Sequence, residues 1–147
     1  MNIRQNIGYA NLLYNNFSGA AGELTAVTQY LYEHIELKRY ENFSKIMLMI
    51  AIEEMKHLEL LGELIKRLGR KPYFINKEGL SWNSETYLKY RFNNIYEMLT
   101  FNIESEKKAI KEYKDVIKYT QNKSIKDLIE RIILDEQTHL EVFNRLR

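Results

Sequence analysis

The chain has 147 residues, a length typical of one domain with a core of its own. Hydrophobic residues make up 45% and charged residues 29%, which is the balance of a globular protein and excludes a disordered or membrane-embedded chain. The lack of cysteine excludes disulfides, thiolate zinc sites, iron–sulfur clusters, rubredoxin-type iron and thiol catalysis. The net charge is +2, and lysines and arginines are spread along the chain, which argues against nucleic-acid binding.

No apolar run is long enough to span a bilayer, and the first residues lack the apolar stretch of a secretory signal. We therefore expect a cytoplasmic protein that does not act at a membrane. One proline and six glycines in the chain favour long helices over the many turns of a β-sandwich.

Apolar residues at alternating spacings of three and four predict four long helices, over residues 12–39, 42–68, 94–119 and 124–146. The second helix is expected to end before Gly69, with Pro72 soon after it, and residues 121–123 separate the third helix from the fourth. Residues 69–93 connect the two pairs of helices. They include a short predicted helix over residues 84–92, with Ser84 as its N-cap.

The lengths of the connections predict how the helices are arranged. Short links join the first helix to the second and the third to the fourth, so each pair is predicted to be an antiparallel hairpin. The connection between the hairpins is long enough to cross from one end of a bundle to the other. This order predicts an all-α fold, the ferritin-like four-helix bundle, as a single domain over residues 1–147.

Polar residues interrupt the apolar stripe of every predicted helix. The second and fourth helices each carry the motif Glu-x-x-His, and the first and third helices each carry one glutamate. The six residues are Glu23, Glu54, His57, Glu106, Glu136 and His139. Glu104 lies about 200° around the helix from Glu106 and close to several lysines, so we assign Glu104 to the solvated face.

A purely structural polar core is the alternative to a metal site at these residues. Burying carboxylates without partners is unfavourable, and four that converge also repel one another. Two divalent cations would neutralise four carboxylates. Because residues i and i+3 share a helix face, each Glu-x-x-His can place a carboxylate between two ions and an imidazole on one of them. The pattern therefore favours two iron or manganese ions per chain, with zinc only as an adventitious occupant.

The two predicted hairpins repeat the same series of polar residues. Tyr30 follows Glu23 by seven residues, and Tyr113 follows Glu106 by seven. The repeat indicates a pseudo-twofold site. Both tyrosines are candidate catalytic residues, which would hydrogen-bond a ligand carboxylate or donate an electron, and packing in the core is the alternative.

Two further carboxylates lie beside the stripe. Glu53 and Asp135 each precede a stripe glutamate and are turned about 100° from it. Metal-bound imidazoles usually donate their second N–H to a carboxylate or a carbonyl. We therefore expect Asp135 near His57 and Glu53 near His139, across the bundle. His34 has no glutamate three residues upstream, and we expect a structural or surface role for it.

These residues resemble the ferritin-like superfamily over nearly the whole chain. The segments that carry the resemblance are Gly22-Glu23-Leu24 with Tyr30, Glu53-Glu54-Met55-Lys56-His57, Glu106 and Asp135-Glu136-Gln137-Thr138-His139. They look like the ligand motifs of bacterioferritins, rubrerythrins and manganese catalases, and residues 57–62 with 68–72 look most like small manganese-catalase-like and rubrerythrin-like proteins. The resemblance implies that Glu54 and Glu136 bridge two ions, that Glu23 and Glu106 are terminal ligands, and that each ion has one imidazole.

The chain also departs from these families. Without cysteine we expect no rubredoxin domain. Ile103 and Ala109 stand three residues to either side of Glu106, so the extra glutamate that rubrerythrins carry on this helix is missing. The sequence ends eight residues after His139, and we expect no fifth helix like that of 24-subunit ferritin cages.

The leading functional hypothesis is an oxidoreductase whose di-iron or di-manganese centre reacts with hydrogen peroxide or dioxygen, as a peroxidase or catalase in oxidative-stress defence. The electron donor is unknown, and we expect a homodimer or a larger homo-oligomer. One alternative is a ferroxidase that stores iron. Another is a structural, coat-type bundle whose metal site only stabilises the fold.

Overall fold

A computed structural model describes residues 2–147, which form helices and loops without a β-strand in that range. The helices are α1 (Ile7–Ser18), α2 (Glu23–Glu36), α3 (Glu41–Arg67), α4 (Ser84–Tyr87), α5 (Ile95–Val116) and α6 (Lys123–Leu146), and a 3₁₀ turn, Ile117–Tyr119, follows α5. The hairpins α2–α3 and α5–α6 form the predicted four-helix bundle, and α1 packs on α3 and α5. No helix of the described residues is long and apolar enough to cross a membrane.

The prediction of one helix over residues 12–39 is wrong, because two helices, α1 and α2, occupy this part of the chain. The backbone turns tightly between them, and a Cβ atom on Gly22 would lie 2.7 Å from the carbonyl oxygen of Asn15. Glycine avoids this clash. Sequence periodicity missed the turn because alanines at positions 20 and 21 continue the apolar stripe. The chain also becomes helical earlier than predicted, where Asn6 caps the N–H of Tyr9.

The ends of the other three long helices agree closely with the prediction. α3 ends with Gly69 at a φ of 108°, a conformation that glycine adopts without strain. The N–H groups of Gly69 and Arg70 donate to the carbonyl oxygens of Lys66 and Ile65, at 3.0 and 3.1 Å. These two bonds are the Schellman motif, which satisfies carbonyl groups at the end of a helix.

The short helix predicted over residues 84–92, with Ser84 as N-cap, is wrong in length and in cap. It ends at Tyr87, and its N-cap is Asn83, whose side chain accepts from the N–H of Thr86. Asparagine and serine cap helices about equally well, so local sequence does not choose between neighbours. The helix stops because the backbone N–H of Lys89 donates to the side chain of Gln29 instead of continuing the helical pattern.

The crossover between the hairpins runs along α1 and α2 from one end of the bundle to the other. Successively later residues of the crossover contact successively later residues of α1 and α2. In chain order they are Tyr14 to the carbonyl of Lys71, Ser18 to that of Ile75, Trp82 to Thr25, Gln29 to Lys89, and Tyr32 to the carbonyl of Tyr90. The crossover therefore delivers the start of α5 to the far end of the bundle and makes α5 antiparallel to α2.

Two apolar clusters fill the bundle on either side of its middle. The first joins α1 to the C-terminal halves of α3 and α5 and the N-terminal half of α6, and it includes Leu13, Phe17, Leu61, Ile65, Tyr113 and Ile129. The second lies towards the other end and includes Tyr30, Met47, Ile50, Leu99, Ile103 and Phe143. The polar residues predicted to bind metal lie in the layer between these clusters.

Two glycine-to-alanine substitutions test the turn between α1 and α2. Gly22→Ala should lower the free energy of unfolding by about 1–3 kcal/mol, because its Cβ would overlap backbone atoms. Gly8→Ala should raise it by about 0.5–1 kcal/mol, because Gly8 lies in a helix and a Cβ there meets only Oδ1 of Asn6 at 3.6 Å. Urea denaturation measures both. Equal effects of the two substitutions would contradict the assigned turn.

Candidate metal centre

The six residues predicted to bind metal meet in the middle of the bundle. α2 and α5 each contribute one glutamate, and α3 and α6 each contribute one glutamate and one histidine. None of the six is more than 3% exposed. The spacing of three and four residues along each helix turns these side chains towards the common axis, as it does the apolar residues above and below them.

The six side chains form two overlapping groups with a shared pair. One group is Glu23, Glu54, His57 and Glu136, and the other is Glu54, Glu106, Glu136 and His139. Within each group, one potential ligand atom per residue lies within 4.8 Å of all the others. Glu54 and Glu136 belong to both groups, which is the placement that two bridging carboxylates need.

The choice of Glu106 over Glu104 for the inner face is confirmed. Glu106 is 1% exposed and belongs to the cluster. The side chain of Glu104 is 59% exposed and lies 3.4 Å from the ammonium group of Lys107. Because Glu104 and Glu106 lie about 200° apart around α5, one side chain faces solvent and the other faces the core.

The outer nitrogen of each imidazole contacts a carboxylate of the other helix, at the positions expected. Nε2 of His57 lies 2.9 Å from Oδ2 of Asp135, and Nε2 of His139 lies 2.6 Å from Oε2 of Glu53. Both carboxylates are partly exposed. They would hold each ring with Nε2 protonated and Nδ1 free to bind a cation, a role that stays a prediction.

The inner nitrogen of each imidazole faces the shared carboxylates. Nδ1 of His57 lies 2.9 Å from Oε1 of Glu136, and Nδ1 of His139 lies 3.2 Å from Oε1 of Glu54. Neither contact has the geometry of a hydrogen bond, since both nitrogens remain without a partner. The rings are thus related by the pseudo-twofold arrangement that the sequence repeat indicates.

The donor set fits divalent cations. Seven buried atoms of the six residues have no hydrogen-bond partner: Oε2 of Glu23, Oε1 of Glu54, Nδ1 of His57, Oε2 of Glu106, Oε1 and Oε2 of Glu136, and Nδ1 of His139. Buried polar atoms in folded proteins almost always have a partner. Atoms that converge on one another and can all act as ligands have the chemistry of a site for iron or manganese.

Each of the two candidate tyrosines donates a hydrogen bond to a cluster glutamate of the opposite hairpin. The hydroxyl of Tyr30 donates to Oε1 of Glu106 at 2.7 Å, and that of Tyr113 donates to Oε1 of Glu23 at 2.5 Å. In both glutamates the remaining oxygen, Oε2, has no partner. Burial raises the pKa of both tyrosines, so they stay neutral and donate. This geometry favours a positioning role for the tyrosines.

Burial also governs the protonation of the cluster. It raises the pKa of Glu54, Glu106 and Glu136, and repulsion from neighbouring carboxylates raises each further. Burial lowers the pKa of His57, but its contacts with carboxylates, that of Glu136 first, raise the pKa overall. Without a cation, the cluster therefore favours states with protons bound.

His34 lies outside the cluster, as expected. Its Nδ1 is 2.7 Å from the carbonyl oxygen of Ser44, a contact that ties the end of α2 to the start of α3. Several buried polar residues outside the cluster were missed, among them Gln29, Glu33 and Asn102. Glu33 lies three residues after Tyr30 on the same helix face, so extending the stripe by one turn would have found it.

A family model described as "Ferritin-like domain" matches residues 19–146. The chain belongs to the ferritin-like family. Among curated relatives, the "Probable manganese catalase" of Clostridium acetobutylicum is 26% identical over 161 aligned residues, which cover 95% of this chain and 70% of the relative. The bacterioferritin of Desulfovibrio desulfuricans is 33% identical over 130 residues, covering 86% of this chain and 68% of the relative.

Solved structures of the ferritin-like family match the whole bundle. The manganese catalase KatB of Anabaena superposes with a TM-score of 0.91 at 27% identity, covering 99% of this chain and 74% of that protein. The bacterioferritin of Desulfovibrio desulfuricans, whose structure contains a diiron site, superposes with a TM-score of 0.75 at 28% identity, covering 94% and 77%. The fold therefore matches the manganese catalase more closely than this bacterioferritin.

The raised pKa values predict how stability depends on pH and metal. Glutamates whose pKa is higher in the folded than in the unfolded chain stabilise the metal-free protein at low pH, and this stability is lost as pH rises through the folded pKa. Metal binds the deprotonated site and should add about 3 kcal/mol per ion at a hundredfold excess over Kd. Thermal melting with and without chelator, between pH 5 and pH 8, measures both effects.

Two variants control this experiment. Without metal, Glu136→Gln should melt above the wild type at pH 8, because it removes the cost of either burying the charge of this carboxylate or keeping it protonated. The exposed Glu104→Gln should leave the melting temperature unchanged. Identical melting of metal-loaded and verified metal-free wild type at pH 8 would contradict this description of the core.

Proposed function

We propose that the six-residue cluster binds two manganese or iron ions and that the protein decomposes hydrogen peroxide. The observation that carries the proposal is the shared pair of carboxylates, Glu54 and Glu136, between two groups that each contain one histidine. In this assignment Glu23 and Glu106 are terminal ligands, and Glu53 and Asp135 orient the imidazoles. When two such ions are bound, they supply two one-electron redox changes, which is the number that cleavage of one peroxide O–O bond requires.

The chain's own residues would hold the site and exclude competing chemistry. Tyr30 and Tyr113 fix one oxygen of each terminal glutamate and leave the other free. The apolar clusters on both sides keep bulk water away, which strengthens the electrostatic interactions inside. A site built in this way favours a small substrate such as hydrogen peroxide.

Dismutation is the reaction that we favour over peroxide reduction with an external donor. It converts two molecules of hydrogen peroxide into dioxygen and two of water, and one peroxide supplies the electrons that the other accepts. The chain matches a manganese catalase over 99% of its length with a TM-score of 0.91, which supports this choice. No separate electron donor is then needed.

Iron oxidation and storage is the second candidate, because the chain is 33% identical to a bacterioferritin. Storage needs a hollow shell of many subunits, whereas dismutation works in a homodimer or other small homo-oligomer. Light scattering of the purified protein separates a large shell from a small assembly. Addition of ferrous iron in air separates a protein that accumulates a ferric mineral from one that does not.

The direct test measures metal content and oxygen release on the same preparation. Protein expressed with added manganese or added iron should contain two ions per chain by elemental analysis, and one of the two forms should release dioxygen from hydrogen peroxide. Glu106→Gln should lower the rate at least about 100-fold, because it changes a ligand rather than an outer contact. Glu104→Gln, two residues away and exposed, is the matched control and should retain full activity.

Three results would overturn the proposal. A protein that holds two ions and forms a ferric mineral without releasing dioxygen would be a storage protein. One that holds two ions and reacts with neither peroxide nor ferrous iron would use them only to stabilise the bundle. Unchanged metal content and activity in Glu106→Gln would show that the ligands are not those assigned.

A further inference from the structure

A second buried polar cluster lies on α2 and α5, outside the six-residue cluster. It consists of Gln29, Glu33 and Asn102, none more than 3% exposed, together with the backbone of Lys89. Nε2 of Gln29 donates to Oε2 of Glu33 at 2.9 Å, and Nδ2 of Asn102 donates to Oε1 at 2.6 Å. Glu33 is thus a buried carboxylate held by two neutral amides.

The amide of Gln29 can have only one orientation. The N–H of Lys89 donates to Oε1 of Gln29 at 2.9 Å, and Nε2 of Gln29 donates to the carbonyl oxygen of Lys89 at 2.7 Å. A flipped amide would lose both bonds and turn an oxygen towards Glu33. Oε2 of Glu33 is therefore always an acceptor, and a proton on this carboxyl group has to reside on Oε1.

The amide of Asn102 is free to turn, and it faces the oxygen that can carry the proton. Its Oδ1 is buried and has no hydrogen-bond partner. When Glu33 is ionised, Nδ2 of Asn102 donates to Oε1. When Oε1 carries a proton, a flipped Asn102 accepts it on Oδ1, the atom that otherwise lacks a partner. Oε1 of Glu33 therefore has a hydrogen bond in both protonation states. Burial raises the pKa of Glu33 to about 7, and the hydrogen bonds from the two amides partly offset this rise.

Glu33 lies between an open cleft and the six-residue cluster. A cleft of about 790 Å³ opens at the end of α2 and the start of α5, and Glu33 lines it together with Glu36, Tyr40, Asn93 and Met98. On the inner side, the Glu33–Asn102 pair is followed one helical turn further in, about 5.4 Å, by the hydrogen bond between Tyr30 and Glu106. Two polar layers thus join α2 to α5 in succession.

The opposite end of the bundle has a different residue at the position that corresponds to Glu33. By the pseudo-twofold relation, the pair Tyr113 and Glu23 corresponds to the pair Tyr30 and Glu106. The residue three positions after Tyr113 is Val116, which is buried in the apolar cluster that α1 covers. The position that corresponds to Glu33 is therefore apolar at this end.

We propose that Glu33 is a proton-exchanging residue that carries protons between the cleft and the metal cluster during peroxide dismutation, an inference that rests on the proposed function. Oxidation of one hydrogen peroxide to dioxygen releases two protons and two electrons. Reduction of the next one breaks its O–O bond and consumes two protons and two electrons to form two waters. Glu33 takes up a proton in the first half-reaction and returns one in the second, and the cleft exchanges protons with solvent.

Other groups around Glu33 bear on its pH dependence. The titratable or charged groups on α2 are Tyr30, Tyr32 and Glu36. Those on the loops are Arg39, Tyr40, Lys89 and Tyr90, and α5 contributes Glu97. Lys89 forms an ion pair with Glu97, with Nζ of Lys89 3.5 Å from Oε1 of Glu97. Glu36 also lines the cleft but is exposed, which makes it the matched control for Glu33.

The test compares Glu33→Gln with Glu36→Gln and Glu33→Asp in the metal-loaded protein. Infrared spectra recorded between pH 5 and pH 9 should show the C=O band of a protonated carboxyl group that disappears as pH rises through about 7. The band should be absent in Glu33→Gln and present in Glu36→Gln. Metal content and melting temperature report whether each variant folds and binds metal.

Turnover gives the second measurement. In the wild type, dioxygen release should fall as pH rises through the same range, because fewer molecules hold the proton. Glu33→Gln should lose this pH dependence and turn over at least about tenfold more slowly at pH 6, and Glu33→Asp should restore both. If Glu33 has only a structural role, Glu33→Gln and Glu33→Asp should both lose activity. The pH profile of each variant should then match that of the wild type.

The inference is overturned if no carboxyl band is lost in Glu33→Gln, if Glu36→Gln has the same effect, or if the pH profile of Glu33→Gln equals that of the wild type. Failure of the proposed function has a different signature, the absence of dioxygen release from metal-loaded wild type. In that case the infrared titration alone decides whether Glu33 exchanges a proton. If no C=O band titrates in the wild type, the inference is overturned. If Glu33→Gln does not fold, Glu33→Asp decides: a C=O band shifted from its wild-type frequency assigns the band to this position, and an unshifted band overturns the inference.

Discussion

Four carboxylates buried beside two imidazoles impose the constraint on which the rest of this structure depends. None of the six side chains is more than 3% exposed, and their close ion pairs are with the two histidines of the same cluster. Such a core is stable only when protons or cations offset the negative charge. Protons neutralise it at low pH, whereas two divalent cations would neutralise it at the pH of a cell and would also bind the atoms that lack hydrogen-bond partners.

The bundle around the cluster is symmetric at its centre and asymmetric at its ends. Shared glutamates, histidines and tyrosine hydrogen bonds follow a pseudo-twofold relation. Towards one end, α1 covers an apolar cluster that contains Val116. Towards the other, Glu33 and Asn102 form a buried polar pair beside an open cleft. The symmetric part would allow the chain to hold two equivalent ions, and the asymmetric part places the buried carboxylate of Glu33 beside a cleft at one end.

The burial and convergence of the six residues were predictable because they depend on local periodicity, whereas the turn before α2 and the partners of Glu33 depend on tertiary contacts. A spacing of three and four residues places Glu54 and His57 on one buried face, and the same rule separates Glu106 from Glu104. Periodicity does not reveal the turn before α2, because its alanines continue the apolar pattern. It places Glu33 on the buried face of α2, three residues after Tyr30, but it does not show the amides that hold this carboxylate, because one of them lies on a distant helix.

Crystals of the manganese-loaded or iron-loaded protein, with anomalous diffraction recorded at the metal absorption edge, test the central claim most directly. We expect two peaks about 3.5–4 Å apart, both contacting Glu54 and Glu136, with one peak at Nδ1 of His57 and the other at Nδ1 of His139. A single peak, or ions held by Glu53 and Asp135 with the buried carboxylates unoccupied, would contradict it.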